Sequence, residues 1–156
     1  MASAPSRSAG CPVTPTVEIS DLIAPGIGPG PVYPVIGGSG NRVSIAGAPR
    51  TSFDRYAVKT LWVATDPADE RILVRVSAPE GQTPEPGFLR GSVLTEDGLP
   101  TQLRLGPDGS LQFGGGPMPE GWRAWSSATM VPGSGCYAFQ IDVQGRTDPV
   151  AFEVTD

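Results

Sequence analysis

The sequence predicts an all-β protein, an antiparallel β-sandwich of eight or nine short strands. Three observations lead there. Glycine and proline, 21 and 18 of 156 residues, occur at about twice their ordinary combined share of roughly 12 %, which disfavours helices. Apolar and polar residues alternate in short runs, the period of a strand with one buried face. Turn-forming clusters separate these runs at intervals of roughly 8–12 residues, as in sandwiches.

Met1 to Ser8 (MASAPSRS) has neither the basic start nor the apolar core of a signal peptide, so an exported form has already lost its leader. From Thr14 to Pro34, Pro and Gly interrupt every apolar cluster. Residues 1–30 are therefore expected to be an irregular, mobile N-terminal segment, and residues 31–156 the sandwich domain. Arg55 to Ala64 places Tyr56, Val58, Thr60 and Trp62 on one face, and Arg71 to Ser77 places Ile72, Val74 and Val76 on one face. The turn Thr65 to Asp69 between them suggests that the two runs form a β-hairpin. Phe88 to Leu94 and Thr101 to Leu105 are the next strands, and Pro107-Asp108-Gly109 turns the latter toward Leu111 and Phe113. Trp122 to Ser127, Cys136 to Val143 and a closing strand with Val150, Phe152 and Val154 complete the chain. The expected core is Ile72, Val74, Val76, Tyr137, Phe139, Ile141, Val150, Phe152 and Val154.

Composition narrows function by exclusion. The net charge is −5 with no Lys/Arg cluster, which argues against nucleic acid as a partner. No apolar run approaches the roughly 18 residues of a membrane-spanning helix. Histidine is absent, which removes Ser/His/Asp and Cys/His catalysis, His-ligated metals and an imidazole pH switch. No cofactor is implied.

Cys11 and Cys136 lie near opposite ends of the chain and fit no CxxC spacing, so a long-range disulfide is the natural reading. Such a bond suits an oxidising compartment and is worth on the order of 4–5 kcal/mol by loop entropy. Two free buried thiols are the alternative. Ser8-Ala9-Gly10-Cys11 has the small-small-Cys ending of a lipoprotein cleavage site but no apolar stretch before it.

Cys11-Pro12-Val13-Thr14, Lys59-Thr60-Leu61-Trp62, Gly121-Trp122-Arg123-Ala124-Trp125 and Gly135-Cys136-Tyr137-Ala138-Phe139-Gln140 follow one another in an order that resembles a group of uncharacterised exported bacterial immunoglobulin-like β-sandwich proteins. The resemblance implies secretion, an immunoglobulin-like sandwich and a Cys11–Cys136 bond. It carries no activity, and no catalytic residue transfers. The Gly/Pro segment Ile23 to Pro34 departs from the group's pattern.

Three chemistries have candidate residues. Acidic turns at Asp66 to Glu70, Glu96-Asp97-Gly98 and Pro107-Asp108-Gly109 could offer oxygen ligands to Ca²⁺, but no D-x-D-x-D-G loop is present and Asp before Gly or Pro is ordinary turn chemistry. A pair among the 16 acidic residues could serve glycoside hydrolysis. Trp62, Trp122 and Trp125 could stack on sugar rings or anchor a protein partner. Trp122 and Trp125 are three apart in a strand, so they face opposite ways, and one is left short of core contacts. Trp122, Arg123 and Trp125 are thus the candidate binding surface. If it is not that, Pro117-Met118-Pro119 or the N-terminal segment covers the outer ring as a second small core. Arg90-Gly91-Ser92 lacks the Asp that an adhesion tripeptide needs.

The expected function is that of a non-catalytic secreted or cell-envelope module that binds a protein or carbohydrate or serves structurally. A small extracellular hydrolase using a carboxylate pair is the alternative.

Overall fold

The computed structural model describes residues 11–21, 23–48, 50, 54–65, 72–78, 85–89, 100–106, 121–143 and 145–156. Its strands are β1 (Thr16–Val17), β2 (Gly26–Ile27), β3 (Val32–Val35), β4 (Arg42–Ser44), β5 (Tyr56–Ala64), β6 (Ile72–Ser77), β7 (Gly87–Leu89), β8 (Gln102–Leu105), β9 (Arg123–Val131), β10 (Gly135–Val143) and β11 (Arg146–Thr155). Nine of these build two sheets, ordered β4-β11-β10-β6-β8 and β3-β5-β9-β7, while β1 and β2 pair with each other. Within the sheets every pairing is antiparallel except that of β4 with β11. The protein is an all-β sandwich, as the alternating pattern requires.

The two sheets meet through one apolar core. All nine expected core residues are buried, none more than 5 % exposed. Val58, Trp62, Phe88, Trp125 and Val131 oppose them from the four-stranded sheet. Phe139 of β10 is the junction. Its ring stacks on Phe152 at 4.6 Å, meets the edge of Trp62 at 4.9 Å and lies 6.2 Å from Phe88. Offset-stacked and edge-to-face contacts of this kind add about 0.5–1.5 kcal/mol each beyond area burial.

The inner face of β5 and β9 also carries polar groups, all of them satisfied. Trp62 Nε1 donates to Ser127 Oγ at 2.9 Å, and Ser127 Oγ donates to the Thr60 carbonyl at 3.2 Å. Thr60 Oγ1 donates to the Val58 carbonyl at 3.0 Å, so the Thr129 hydroxyl, 2.7 Å away, donates to Thr60. Burying these hydroxyls unpaired would cost about 1–3 kcal/mol apiece. Because the chain pairs Thr60 with Ser127 and Trp62 with Trp125 across the ladder, each group meets its partner inside the core.

Connectivity differs from the hairpin reading. From β3 to β10, each successive strand lies in the opposite sheet to the one before it. Arg55 to Ala64 and Arg71 to Ser77 therefore do not form a hairpin: β5 pairs with β3 and β9, and β6 with β10 and β8. Alternation reports only which face is buried, and strands of both sheets share it. Val63, on the outer face of β5, is fully buried as well, because Ile19, Ile23 and Ala24 of the N-terminal segment pack over that face. Among the described strands of the two large sheets, the one consecutive pair is β10–β11, in register from Gly135↔Val154 to Val143↔Arg146. β11 thus starts at Arg146, and the turn before it is shorter than Gln144 to Asp148. β9 likewise runs on to Val131. Leu111 and Phe113 lie outside the described residues.

The described part of the N-terminal segment closes one side of the sandwich. Thr14 N–H donates to the Ala151 carbonyl at 2.9 Å, and Ala151 N–H donates to Thr14 Oγ1 at 2.8 Å. Asn41 Nδ2 holds the Thr14 carbonyl at 2.9 Å, while the Asn41 carbonyl accepts Glu153 N–H at 2.9 Å. The edge of β11 not covered by β4 is thereby paired rather than open. Pro149 lies two residues before Ala151, so its missing N–H falls on that same edge and costs no ladder bond. Ile27 of β2, within the segment expected to be irregular, is fully buried in the main core. Gly28 follows at φ +100°, where a Cβ would sit 2.9 Å from Val150 Cγ2, so both backbone conformation and space require glycine.

Truncating the junction ring should test this architecture. Phe139→Ala is expected to cost about 3–5 kcal/mol through lost transfer and cavity terms, read as a fall in the denaturant midpoint at constant slope. A loss under about 1 kcal/mol would contradict Phe139's place between the sheets.

Candidate functional site

The first strand positions of β9 decide the fate of the expected surface. Trp125 points inward. It is 2 % exposed, belongs to the main core and donates its Nε1 proton to the Gly106 carbonyl at 2.9 Å. It is therefore unavailable to an outside partner, and Trp62, fully buried, is likewise no part of a sugar platform. Arg123 shares the inward parity of Trp125 and sits half-buried at the strand end, opposite Ala64.

Trp122 alone of the three lies on the outer side of the four-stranded sheet. There Val35, Val63 and Ala124 form a second buried cluster, and Ile19, Ile23, Ala24, Leu61 and half-buried Trp122 pack against it. The structure thus separates Trp122 from Arg123 and Trp125, and it brings Trp122 together with the N-terminal segment. Opposite-face placement follows from the spacing, but the side that faces inward depends on the ladder with β5. Long-range register of that kind is not visible in a local pattern.

Cys11 and Cys136 are bonded, with their Cα atoms 5.6 Å apart, inside the range a disulfide spans. Both sulfurs being engaged, Cys11 has no thiol left for a lipid thioether. Cys136 alternates with inward Tyr137 and Phe139, and Glu153 alternates with inward Phe152 and Val154, so both project from the outer face of the five-stranded sheet. They are directly opposite in the β10–β11 ladder. Glu153 is buried and pairs with Arg42 Nε at 2.9 Å, Arg42 being its ladder partner on β4. Sequence reasoning did not find Glu153 or Arg42, because only the folded register sets them beside the cysteines.

Further along the same face, Asp142 gathers a polar cluster. Thr147 Oγ1 donates to its Oδ1 at 2.6 Å, Gln140 Nε2 to the same oxygen at 3.4 Å, and Arg75 Nη1 to Oδ2 at 3.3 Å. Thr147's hydrogen bond leads in holding the Asp142 carboxyl below its ordinary range, helped by Gln140 and Arg75 and opposed by partial burial. A glycosidase's general acid needs the reverse shift, so Asp142 is not a candidate for that role. The acidic turns at Asp66 to Glu70, Glu96 to Gly98 and Pro107 to Gly109, together with Arg90-Gly91-Ser92 and Pro117-Met118-Pro119, lie outside the described residues.

No protein-family model and no curated protein sequence matches the chain. Among solved structures, the chain is similar to the crystal structure of a "putative lipoprotein from Bacillus anthracis", at 12 % identity and a TM-score of 0.49, over 91 % of this chain and 84 % of that one.

Two outcomes check the site geometry. Trp125→Ala should destabilise by about 3–5 kcal/mol, and Trp122→Ala by roughly half that or less, since only the former empties the main core; equal losses in urea unfolding would contradict the assigned faces. Because the Asp142 carboxyl is lowered in the fold, its contribution is present above the unfolded-state pKa of about 3.9 and is lost as pH falls through the folded value. The stability gap between the wild type and Thr147→Val should therefore be steady from neutral pH to about pH 5 and shrink below about pH 4. A gap that widens on acidification would reverse the sign of the shift.

Proposed function

We propose that the chain is a secreted or cell-envelope module of immunoglobulin-like type that acts without catalysis, by binding or as a structural unit. The observation that carries this reading is the disulfide that ties Cys11 to β10. A bond that fastens the N-terminal segment across the sheet persists where thiols are not kept reduced. The order of motifs, in its resemblance to exported bacterial sandwich proteins, supports the same compartment. The partner-facing surface in this reading is the outer side of the four-stranded sheet at Trp122, a part-buried residue that stands immediately before the first residue of β9. A flat aromatic face there suits a sugar ring or a protein side chain.

Two measurements test it. In the producing cells, alkylation before and after reduction should find the mature chain in the envelope or medium with both cysteines blocked; a reduced, cytosolic chain would overturn the compartment. Neutral oligosaccharides titrated into the protein should shift tryptophan emission saturably in the wild type and not in Trp122→Ala, with no reducing ends released. Turnover of those sugars would instead make the chain a hydrolase.

A further inference from the structure

We propose that, once the Cys11–Cys136 bond is reduced, the two thiolates and Glu153 form a three-ligand site for a borderline-soft divalent cation such as Zn²⁺. The sulfur of each cysteine and a carboxylate oxygen of Glu153 all lie within 4.8 Å of one another. Zinc takes thiolate sulfur at about 2.3 Å and carboxylate oxygen at about 2.0–2.2 Å, in tetrahedral geometry. Two sulfurs on one such ion stand about 3.8 Å apart, by that bond length and the tetrahedral angle. Cα atoms 5.6 Å apart accommodate this separation by side-chain rotation, without moving the backbone.

The surroundings suit a cation. Glu153 is buried beside the cysteines and stands directly across the ladder from Cys136. Arg42 engages its Oε1, which orients the carboxylate as an outer partner orients a ligand. Two thiolates and one carboxylate, less the Arg42 guanidinium, leave two negative charges, the complement of a divalent ion. Three protein ligands leave a fourth position for water or an added donor.

The chemistry has two steps. An external dithiol reduces the S–S bond with two electrons and is itself oxidised to a disulfide, and each freed sulfur takes up one proton. The cation then binds both sulfurs and displaces those two protons into solvent. The inference concerns the face of the five-stranded sheet and does not depend on the role of Trp122.

The test uses the full chain reduced with a phosphine, which leaves no competing thiol, and Co²⁺ and Zn²⁺ as probes. The reduced wild type should develop the intense sulfur-to-metal charge-transfer absorption of a cobalt thiolate at one equivalent, and Zn²⁺ should displace it. Cys136→Ser should abolish the band, and Glu153→Gln should weaken Co²⁺ binding by about tenfold or more, the scale on which a lost ligand or its support is felt. Zn²⁺ should also raise the melting temperature of the reduced wild type and leave that of Cys136→Ser unchanged. If the reduced chain unfolds, refolding on addition of Zn²⁺ gives the same support. No charge-transfer band, or identical affinity in wild type and Glu153→Gln, would overturn the proposal.

Discussion

The contact on which the sandwich depends is the meeting of Phe139 with Trp62, Phe88 and Phe152. Trp62 and Phe88 belong to one sheet, Phe139 and Phe152 to the other, so this cluster is where the two layers become one core. Its importance grows because successive strands from β3 to β10 alternate between the sheets. A chain wound in that way gains little from local hairpins, and its stability has to come from contacts between distant segments. Such topologies close their loops before those contacts form, which places them among the slower folders. The satisfied ladder of Trp62, Ser127, Thr60 and Thr129 adds direction to this apolar contact. Shifting β9 by one residue against β5 would separate every partner and leave hydroxyls buried unpaired.

A core of this kind still leaves edges, and the N-terminal segment manages one of them. Thr14 occupies the hydrogen-bonding groups of Ala151 that β4 does not reach, and Asn41, which holds Thr14, also accepts from Glu153 where the β4 ladder begins. Ile27 enters the core from the same segment, while Ile19, Ile23 and Ala24 cross to the outer face of the other sheet. One stretch of Gly- and Pro-rich chain thus serves an edge, an interior and an exterior within a few residues. Only a backbone rich in turns can change direction that often. The disulfide fastens the start of this stretch to β10, so the segment is held at both ends.

Alternation in the sequence was enough to identify β6, β10 and β11 and the inward side of each, because Ile72-Val74-Val76, Tyr137-Phe139-Ile141 and Val150-Phe152-Val154 have only one apolar face. The disulfide was legible from the presence of two cysteines and the lack of any metal spacing. What could not be read was which strand lies beside which. The hairpin of Arg55 to Ala64 with Arg71 to Ser77 fails for that reason, and so does Trp125 as a surface residue. Glu153 next to Cys136 is the same case in reverse, since nothing in a ten-residue window relates them. Ile27 was hidden by its neighbours, because flanking Gly and Pro signal a loop whether or not the residue between them is buried.

The two outer faces of the sandwich have become chemically different, and the cause lies in what covers them. On the four-stranded sheet, Val35, Val63 and Ala124 are apolar because the N-terminal segment packs on them, and part-buried Trp122 packs against the same cluster. On the five-stranded sheet the outward positions include Arg75, Gln140, Asp142, Glu153 and Arg42, which form hydrogen-bonded groups, Arg42 with Glu153 and both Arg75 and Gln140 with Asp142. Neighbouring strands fix the spacing of these groups as firmly as they fix the core. A carboxylate on this face therefore takes its properties from its ladder partners: the hydrogen bond from Thr147 lowers the Asp142 carboxyl below its usual range, and Arg42 holds Glu153 in place beside a sulfur pair. The rigidity that the aromatic junction gives the interior is thus passed to the surface as fixed distances between reactive groups, and any chemistry this face performs inherits its geometry from the core beneath it.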